Sequence, residues 1–264
     1  MANLEPLIQS IPVAPLKLAS LEGCRTLADQ VNNYLVSFRH ESPTNVGQAD
    51  SLQGYCADSY LLECECPRFG SGEGKGVLKE SVRGCDLFIM VDVTNYSLTY
   101  RVNGYENHMS PDNHYQDLKR IISAADGKAR RINVIMPFLY EGRQHKRSKR
   151  ESLDCALMLQ ELVDMGVSNI LTFDAHDPRV SNSIPLHGFD SFMPTYQFLK
   201  ALVNSVPDFV IDNDHLMIIS PDEGAMGRAV YFSNILGVDM GMFYKRRDYS
   251  TVVNGKNPIV AHEF

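Results

Sequence analysis

Hydrophobic runs of strand length alternate along the chain with stretches of helical period. The runs are "SYLLECEC" (59 to 66), "DLFIMVDV" (86 to 93), "RINVIMPF" (131 to 138), "SNILTFD" (168 to 174), "HLMIISP" (215 to 221) and "VDMGMFY" (238 to 244). Between them, Leu153, Ala156, Leu157, Leu162 and Val163 share one face of a helix predicted from Glu151 to Gly166, where the glycine supplies the stop. Residues 115 to 126, 193 to 205 and 224 to 236 show the same period, and an earlier helix is predicted from about Leu21 to Phe38. Continuous apolar strands alternating with helices predict an α/β fold, with a mostly parallel sheet covered on both faces. Ligands of such sheets bind outside the carboxyl ends of the strands, so the residues just after each run are where chemistry is expected. A polar stretch from about Glu41 to Asp58 reads as a surface insertion, and "NSIPLHGFDSF" (182 to 192) as the passage to a second domain.

Composition narrows the function classes. The chain has 264 residues, is 44% hydrophobic and carries a formal net charge of -7, which argues against a general nucleic-acid binder. Six cysteines without regular spacing read as reduced thiols of a cytoplasmic protein. Cys64 and Cys66 are expected to alternate across a strand with thiols facing opposite ways, which removes a zinc reading. The first residues lack the charge and apolar run of a signal peptide, and "INVIMPFLY" falls short of the roughly 18 to 20 residues of a membrane span, so neither export nor membrane insertion is expected.

The strand ends carry the chemistry. After Phe138 comes "LYEGRQHKRSKRES", with five Lys and Arg among residues 143 to 150. Two readings stand: a solvated basic loop, or a clamp for a polyphosphate in which an arginine grips oxygens bidentately. "TFDAHDPRV" puts Asp174, His176 and Asp177 at another tip, as turn formers or as ligands of Mg²⁺ that shares its shell with substrate phosphates. "SPDEGAMGRAV" sets Asp222 and Glu223 before a helix; Glu223 suits the helix dipole, and Asp222 a metal or sugar contact. "YKRRDYS" brings Lys245, Arg246 and Arg247 to the same edge of a sheet. "FGSGEGKGV" (69 to 77) is not a phosphate loop of the Walker type, because Phe69 and Gly76 occupy positions that need Gly and Ser or Thr. It is either a flexible turn or a loop in which Phe69 stacks on a base and Glu73 accepts from an amino group.

Taken together, "RFGSGE", "ESVRG", "GRQ", "FDAHDP", "SPDEG" and "KRR", in this order between Phe69 and Arg247, resemble the motifs of the ribose-phosphate pyrophosphokinases, or phosphoribosyl pyrophosphate synthetases. The resemblance implies two phosphoribosyltransferase-like domains: residues 1 to 185 for ATP binding and oligomerisation, and 186 to 264 as an incomplete second domain. It further implies Mg²⁺-dependent transfer of pyrophosphate from ATP to ribose 5-phosphate. The family's ATP-binding positions fall here on Phe69, Ser71, Gly72, Glu73, Arg143 and Gln144, its metal positions on His176, Asp222 and Asp174, and its mobile catalytic cations on Lys245 and Arg247. A homo-oligomer is implied, with no nucleic-acid or membrane partner. Ser71 stands where the family usually has Asp, and the family's Asp-Asp ribose-phosphate loop has no counterpart, which leaves these 264 residues alone expected to be inactive. A non-catalytic nucleotide-binding regulatory homologue is the alternative.

Overall fold

The structure, a computed structural model, describes residues 12–41, 54–247 and 259–263, with 244–247 and 259–263 as backbone alone. The expected insertion after Glu41 falls largely outside the described residues. The chain divides into two compact units, Met1–Met193 and Pro194–Phe264.

In the first unit the elements run β1 (Leu16–Ser20), α1 (Arg25–Glu41), β2 (Leu61–Leu62), β3 (Cys64–Glu65), β4 (Val77–Leu78), β5 (Asp86–Met90), β6 (Thr99–Val102), β7 (Tyr105–His108), α2 (Pro111–Ala124), β8 (Arg131–Ile135), α3 (Asp154–Asp164), β9 (Val167–Phe173) and β10 (Gly188–Phe192). Six strands form one sheet in the order β10-β9-β8-β5-β1-β2, and every pairing is parallel. The chain enters at β1, adds β2 on one side and then steps outward through β5, β8, β9 and β10 on the other.

Alternation along the strands sorts the two faces. Leu87, Ile89, Ile132, Val134 and Ile170 join Leu118, Ile121, Leu159 and Leu162 of α2 and α3 in the main core, and Leu18 and Met90 pack against Cys24 and Ala28 at the start of α1. Each such fully buried aliphatic side chain contributes about 1.5 to 3 kcal/mol. Helix α2 starts where the sequence specifies a start: Ser110 accepts from the Asn113 amide, Asn113 returns the bond, and Pro111 follows the cap.

The face shared by Asp86, Asn133 and Asn169 carries a polar chain instead. Arg131 donates to both Asp86 oxygens (2.8 and 2.5 Å), Asn133 donates to Asp86 (2.7 Å), and Asn169 donates to Asn133 (2.6 Å). Gly188 is opposite Asn169 on β10, and a Cβ there would run into the Asn169 carboxamide. We expect Gly188→Ala to displace that amide from Asn133 and to lower stability by about 1 to 3 kcal/mol, read from denaturant midpoints. A midpoint equal to wild type would show that the chain of amides adapts.

All six expected strands are found, with two subdivided. The run 59 to 66 breaks into β2, which joins the main sheet, and β3, which pairs antiparallel with β4. The stretch 182 to 192, read as a passage, ends in β10, the edge strand of the first unit, which runs to Met193. In the second unit, α4 spans Thr195–Ser205, and β11 (Ile218–Ser220), α5 (Met226–Leu236) and β12 (Met240–Met242) form a parallel strand-helix-strand unit. Gly237, at φ 68°, ends α5 in the left-handed conformation. The run 238 to 244 divides into β12 and β13 (Tyr244–Arg247), and β13 pairs antiparallel with β14 (Ile259–Glu263).

Candidate active site

Two strand tips on the carboxyl edge of the main sheet make the centre of the site. Beyond β8, successive turns (Gly142 amide to Leu139 carbonyl, 3.0 Å; Gln144 amide to Glu141 carbonyl, 2.8 Å) fold the "EGRQ" segment back on itself. Glu141 is left-handed at φ 54°, a conformation that non-glycine residues adopt at a cost. Gly142 is buried, and a Cβ would press the Leu139 carbonyl at 3.0 Å, so the motif's glycine is required by packing. Burial, with Asp154 and Asp112 nearby, raises the Glu141 carboxyl above its ordinary pKa.

This turn presents Arg143 outward, its guanidinium 5.9 Å from the centre of the exposed Phe138 ring. Gln144 does something the sequence did not suggest. Its amide nitrogen donates to the carbonyls of Lys146 (3.2 Å) and Ser152 (2.9 Å), closing the basic arc. Both donors are thereby used, so in this arrangement only its carbonyl oxygen is left to meet a ligand, which suits an amino or hydroxyl group and not a phosphate. Lys146, Arg147, Lys149 and Arg150 are exposed, as a solvated arc would have them.

Beyond β9 lies the second tip. Asp174 is left-handed at φ 43°, and its amide donates to the Phe192 carbonyl (2.9 Å), while the Ala175 amide donates to Ser191 Oγ (2.9 Å). The edge strand β10 thus fixes the loop that carries His176. Asp177 is gripped by Arg179 through both carboxylate oxygens, which holds its carboxyl far below the usual carboxylate range. His145, a residue the sequence reading passed over, joins the tips. Its ring stacks on His176 with centroids 4.9 Å apart, its Nε2 is 3.7 Å from Asp177 Oδ2, and its Nδ1 is 3.2 Å from the Arg143 carbonyl. Arg143, Gln144, Asp174 and His176 therefore belong to one place. The only sequence signal for His145 was a histidine inside the cationic run.

The loop from Phe69 to Glu73 is a tight hairpin end between β3 and β4. The Phe69 amide donates to the Glu73 carbonyl (2.7 Å), the Gly72 amide to the Phe69 carbonyl (2.9 Å), and Ser71 Oγ to Glu73 Oε2 (2.8 Å). Phe69 is 55% exposed, so its ring is open for stacking. The serine in the position usual for Asp serves to orient Glu73. At the loop's base, Arg68 binds both oxygens of the buried Asp117 (2.6 and 2.7 Å), and Arg120 adds a third bond to the same carboxylate (2.6 Å).

Cys64 and Cys66 correct the sequence reading. Residues two apart on a strand share a face, and both thiols line one cavity of about 260 Å³, with Arg68, Tyr100, His114 and Asp117 also in its walls. Burial lifts the Cys64 thiol to about 11 and the Cys66 thiol to about 12. Such thiols stay protonated and unreactive.

In the second unit Asp222 caps the turn before α5 by accepting from the Ala225 amide (3.2 Å). Glu223 follows in the first turn, the position its helix-dipole reading requires. Lys245 and Arg247 lie within β13, not beyond a strand tip, and the pairing with β14 shifts register between Arg246 and Arg247. Among the described residues no three His, Cys, Asp or Glu side chains form a preformed metal cage. The donor set at the β9 tip, one carboxylate and one imidazole, fits a cation that completes its shell with water and substrate phosphates. No described helix is long and apolar enough to cross a membrane.

A parallel α/β sheet with its polar site at the carboxyl edge, together with a glycine-containing hairpin loop between β3 and β4, defines the class. Residues 16–166 match the N-terminal domain of ribose phosphate pyrophosphokinase, and the chain belongs to that family. The ribose-phosphate pyrophosphokinase of Staphylococcus epidermidis is 27% identical over 201 residues, covering 75% of this chain and 56% of the relative. That of Oceanobacillus iheyensis is 26% identical over 202 residues, with 75% and 57% covered. The chain therefore spans little more than half the length of these relatives. A phosphoribosylpyrophosphate synthetase from Mycobacterium smegmatis has the same fold, with a TM-score of 0.67 at 22% identity over 93% of this chain and 67% of that one.

Proposed function

We propose that the chain acts in the synthesis of phosphoribosyl pyrophosphate, transferring pyrophosphate from Mg-ATP to the anomeric hydroxyl of ribose 5-phosphate with release of AMP. The observation that supports it best is the junction of the two strand tips, where His145 couples the Arg143 turn to the Asp174 and His176 loop. In this reading Phe69 stacks on adenine and Glu73, oriented by Ser71, accepts from the exocyclic amino group. Gly72 gives the loop its turn. Arg143 binds the polyphosphate, and Gln144 keeps the basic arc closed while its carbonyl oxygen faces the nucleotide. Asp174 and His176 of the first unit would hold Mg²⁺, which neutralises phosphate charge when bound, and the family's further metal position falls on Asp222. Lys245 and Arg247 stabilise charge that develops on the transferred group. Positioning and electrostatics supply most of the rate in such a transfer, and little covalent work falls to the protein. The domain roles given by sequence, self-association and a cytoplasmic setting belong to this proposal.

The test is AMP formation from Mg-ATP with and without ribose 5-phosphate, on these 264 residues and on a form that also carries the ribose-phosphate loop. Sugar-dependent AMP from the loop-bearing form alone is the expected result, and the tests of turnover below use that form. Arg143→Ala should then lower kcat/KM by about tenfold to a hundredfold, the factor carried by a charge-assisted bond worth roughly 1.5 to 3 kcal/mol. Tight Mg-ATP binding without any turnover would favour a regulatory, non-catalytic homologue.

A further inference from the structure

We propose that the hairpin β6–β7 is a brace that sets the conformation of the nucleotide loop, with Val102 as its positioning residue. The inference rests on the reading of Phe69 and Glu73 as base contacts.

The hairpin is built to be rigid. Its register runs from Thr99 opposite His108 to Val102 opposite Tyr105, and the connection is Asn103-Gly104 with φ of 49° and 86°. Two left-handed residues in a two-residue connection make the turn whose twist matches that of paired strands. At the other end Tyr96 stacks on His108 with centroids 4.4 Å apart, and the adjoining His114 Nε2 is 2.7 Å from the Asn95 carbonyl.

The turn end of this hairpin meets the loop from Phe69 to Glu73. The Asn103 amide donates to the Gly70 carbonyl (3.2 Å). A Cβ on Gly72 would lie 2.8 Å from Val102 Cγ2 and 3.8 Å from Tyr100 Cε2, so the loop backbone rests directly on the Val102 side chain. Gly72 itself is at φ 91°, where only glycine is at ease. The Arg68 guanidinium is 5.3 Å from the centre of the Tyr100 ring and is held from the other side by Asp117. Four consecutive loop positions, Phe69 to Gly72, are thus bounded by their own hydrogen bonds on one side and by the hairpin on the other. The exposed Phe69 ring is the part left projecting. A ring held in one place before the base arrives loses less freedom on binding, and affinity gains accordingly. Val102 acts through the loop and touches no substrate in this scheme.

The experiment compares Mg-ATP with Mg-tripolyphosphate, which lacks a base, on the whole chain. Wild type should prefer Mg-ATP. Val102→Ala should weaken Mg-ATP about fivefold, the factor given by ~1 kcal/mol, and leave tripolyphosphate binding unchanged. Amide exchange at Phe69 and Gly72 should quicken, and Val102→Ile, which keeps the branch facing Gly72, should restore both affinity and protection. Equal Mg-ATP affinity of wild type and Val102→Ala, or equal weakening of both ligands, would overturn the brace. A wild type without preference for Mg-ATP over tripolyphosphate would instead overturn the base-contact reading on which it rests.

Discussion

Asp117→Ala is expected to lower the stability of the first unit by about 3 to 5 kcal/mol, enough to consume a large part of the margin of an ordinary domain. Asp117 has a side chain only 6% exposed and accepts from two arginines that are themselves 10% and 21% exposed. Removing the carboxylate leaves two cations partly out of water with nothing to offset their lost hydration, and that penalty dominates. The surface pairs give the comparison. Lys17 with Glu80 and Lys79 with Glu65 lie at the surface, where water and salt screen the attraction and little stability is gained. Denaturant unfolding of Asp117→Ala and of Glu65→Ala should separate the two cases by several-fold in ΔΔG. A double change, Arg68→Met with Asp117→Leu, should recover much of the loss, because apolar replacement of a buried pair is often close to neutral. Equal, small effects in all three variants would mean that Asp117 is solvated in solution.

The same ion cluster shows where sequence reasoning stopped. Asp117 sits in a helix of clear amphipathic period, and nothing in that period distinguishes a buried carboxylate from a solvated one. The arginine that buries it comes from 49 residues away. The strands with continuous apolar runs, β5, β8 and β9, were legible because both their faces are covered. β1 was missed: it has five residues, includes Lys17 and follows two prolines, so it lacks the length that marks a strand. β10 reads "GFDSF", a polar edge strand that owes its place to pairing with β9 and to room left for Asn169. For the hairpin the signal was present. Asn103-Gly104 between "TYRV" and "YENH" is a strong local mark of a two-residue connection, and it lay between longer apolar runs that drew the reading elsewhere.

The site was legible in its parts and not in its joints. Strand-tip logic found Arg143 and His176 from the ends of two apolar runs, and the structure places both on that edge. The joints are side-chain relations across loops: His145 on His176, Gln144 closing the arc to Ser152, and Ser191 holding Ala175. None has a fixed spacing that a single sequence displays. The misplaced thiols had a simpler cause, since the two-residue period of a strand puts Cys64 and Cys66 on the same side.

His176→Ala is expected to abolish most turnover, about a hundredfold or more, while leaving the fold nearly unchanged. The stability half follows from exposure: His176 lies on the surface, and its described partner is the His145 ring, so truncation removes a stacking contact worth about 0.5 to 1.5 kcal/mol at most. The activity half follows from its place. Asp174 and His176 are held by β10 through the Phe192 carbonyl and Ser191, so the loop keeps its shape without the imidazole, and what disappears is one donor to the cation that accompanies the nucleotide. His176→Gln keeps a polar donor at similar reach and should lose less. The decisive comparison is a Mg²⁺ titration at saturating ATP, in which His176→Ala should require several times more Mg²⁺ for half-maximal rate, while His145→Ala, which removes the ring that joins the two tips but no donor to the cation, should shift that midpoint less. Identical Mg²⁺ midpoints for wild type and His176→Ala would remove His176 from the metal site and leave Asp174 as the donor at this strand tip.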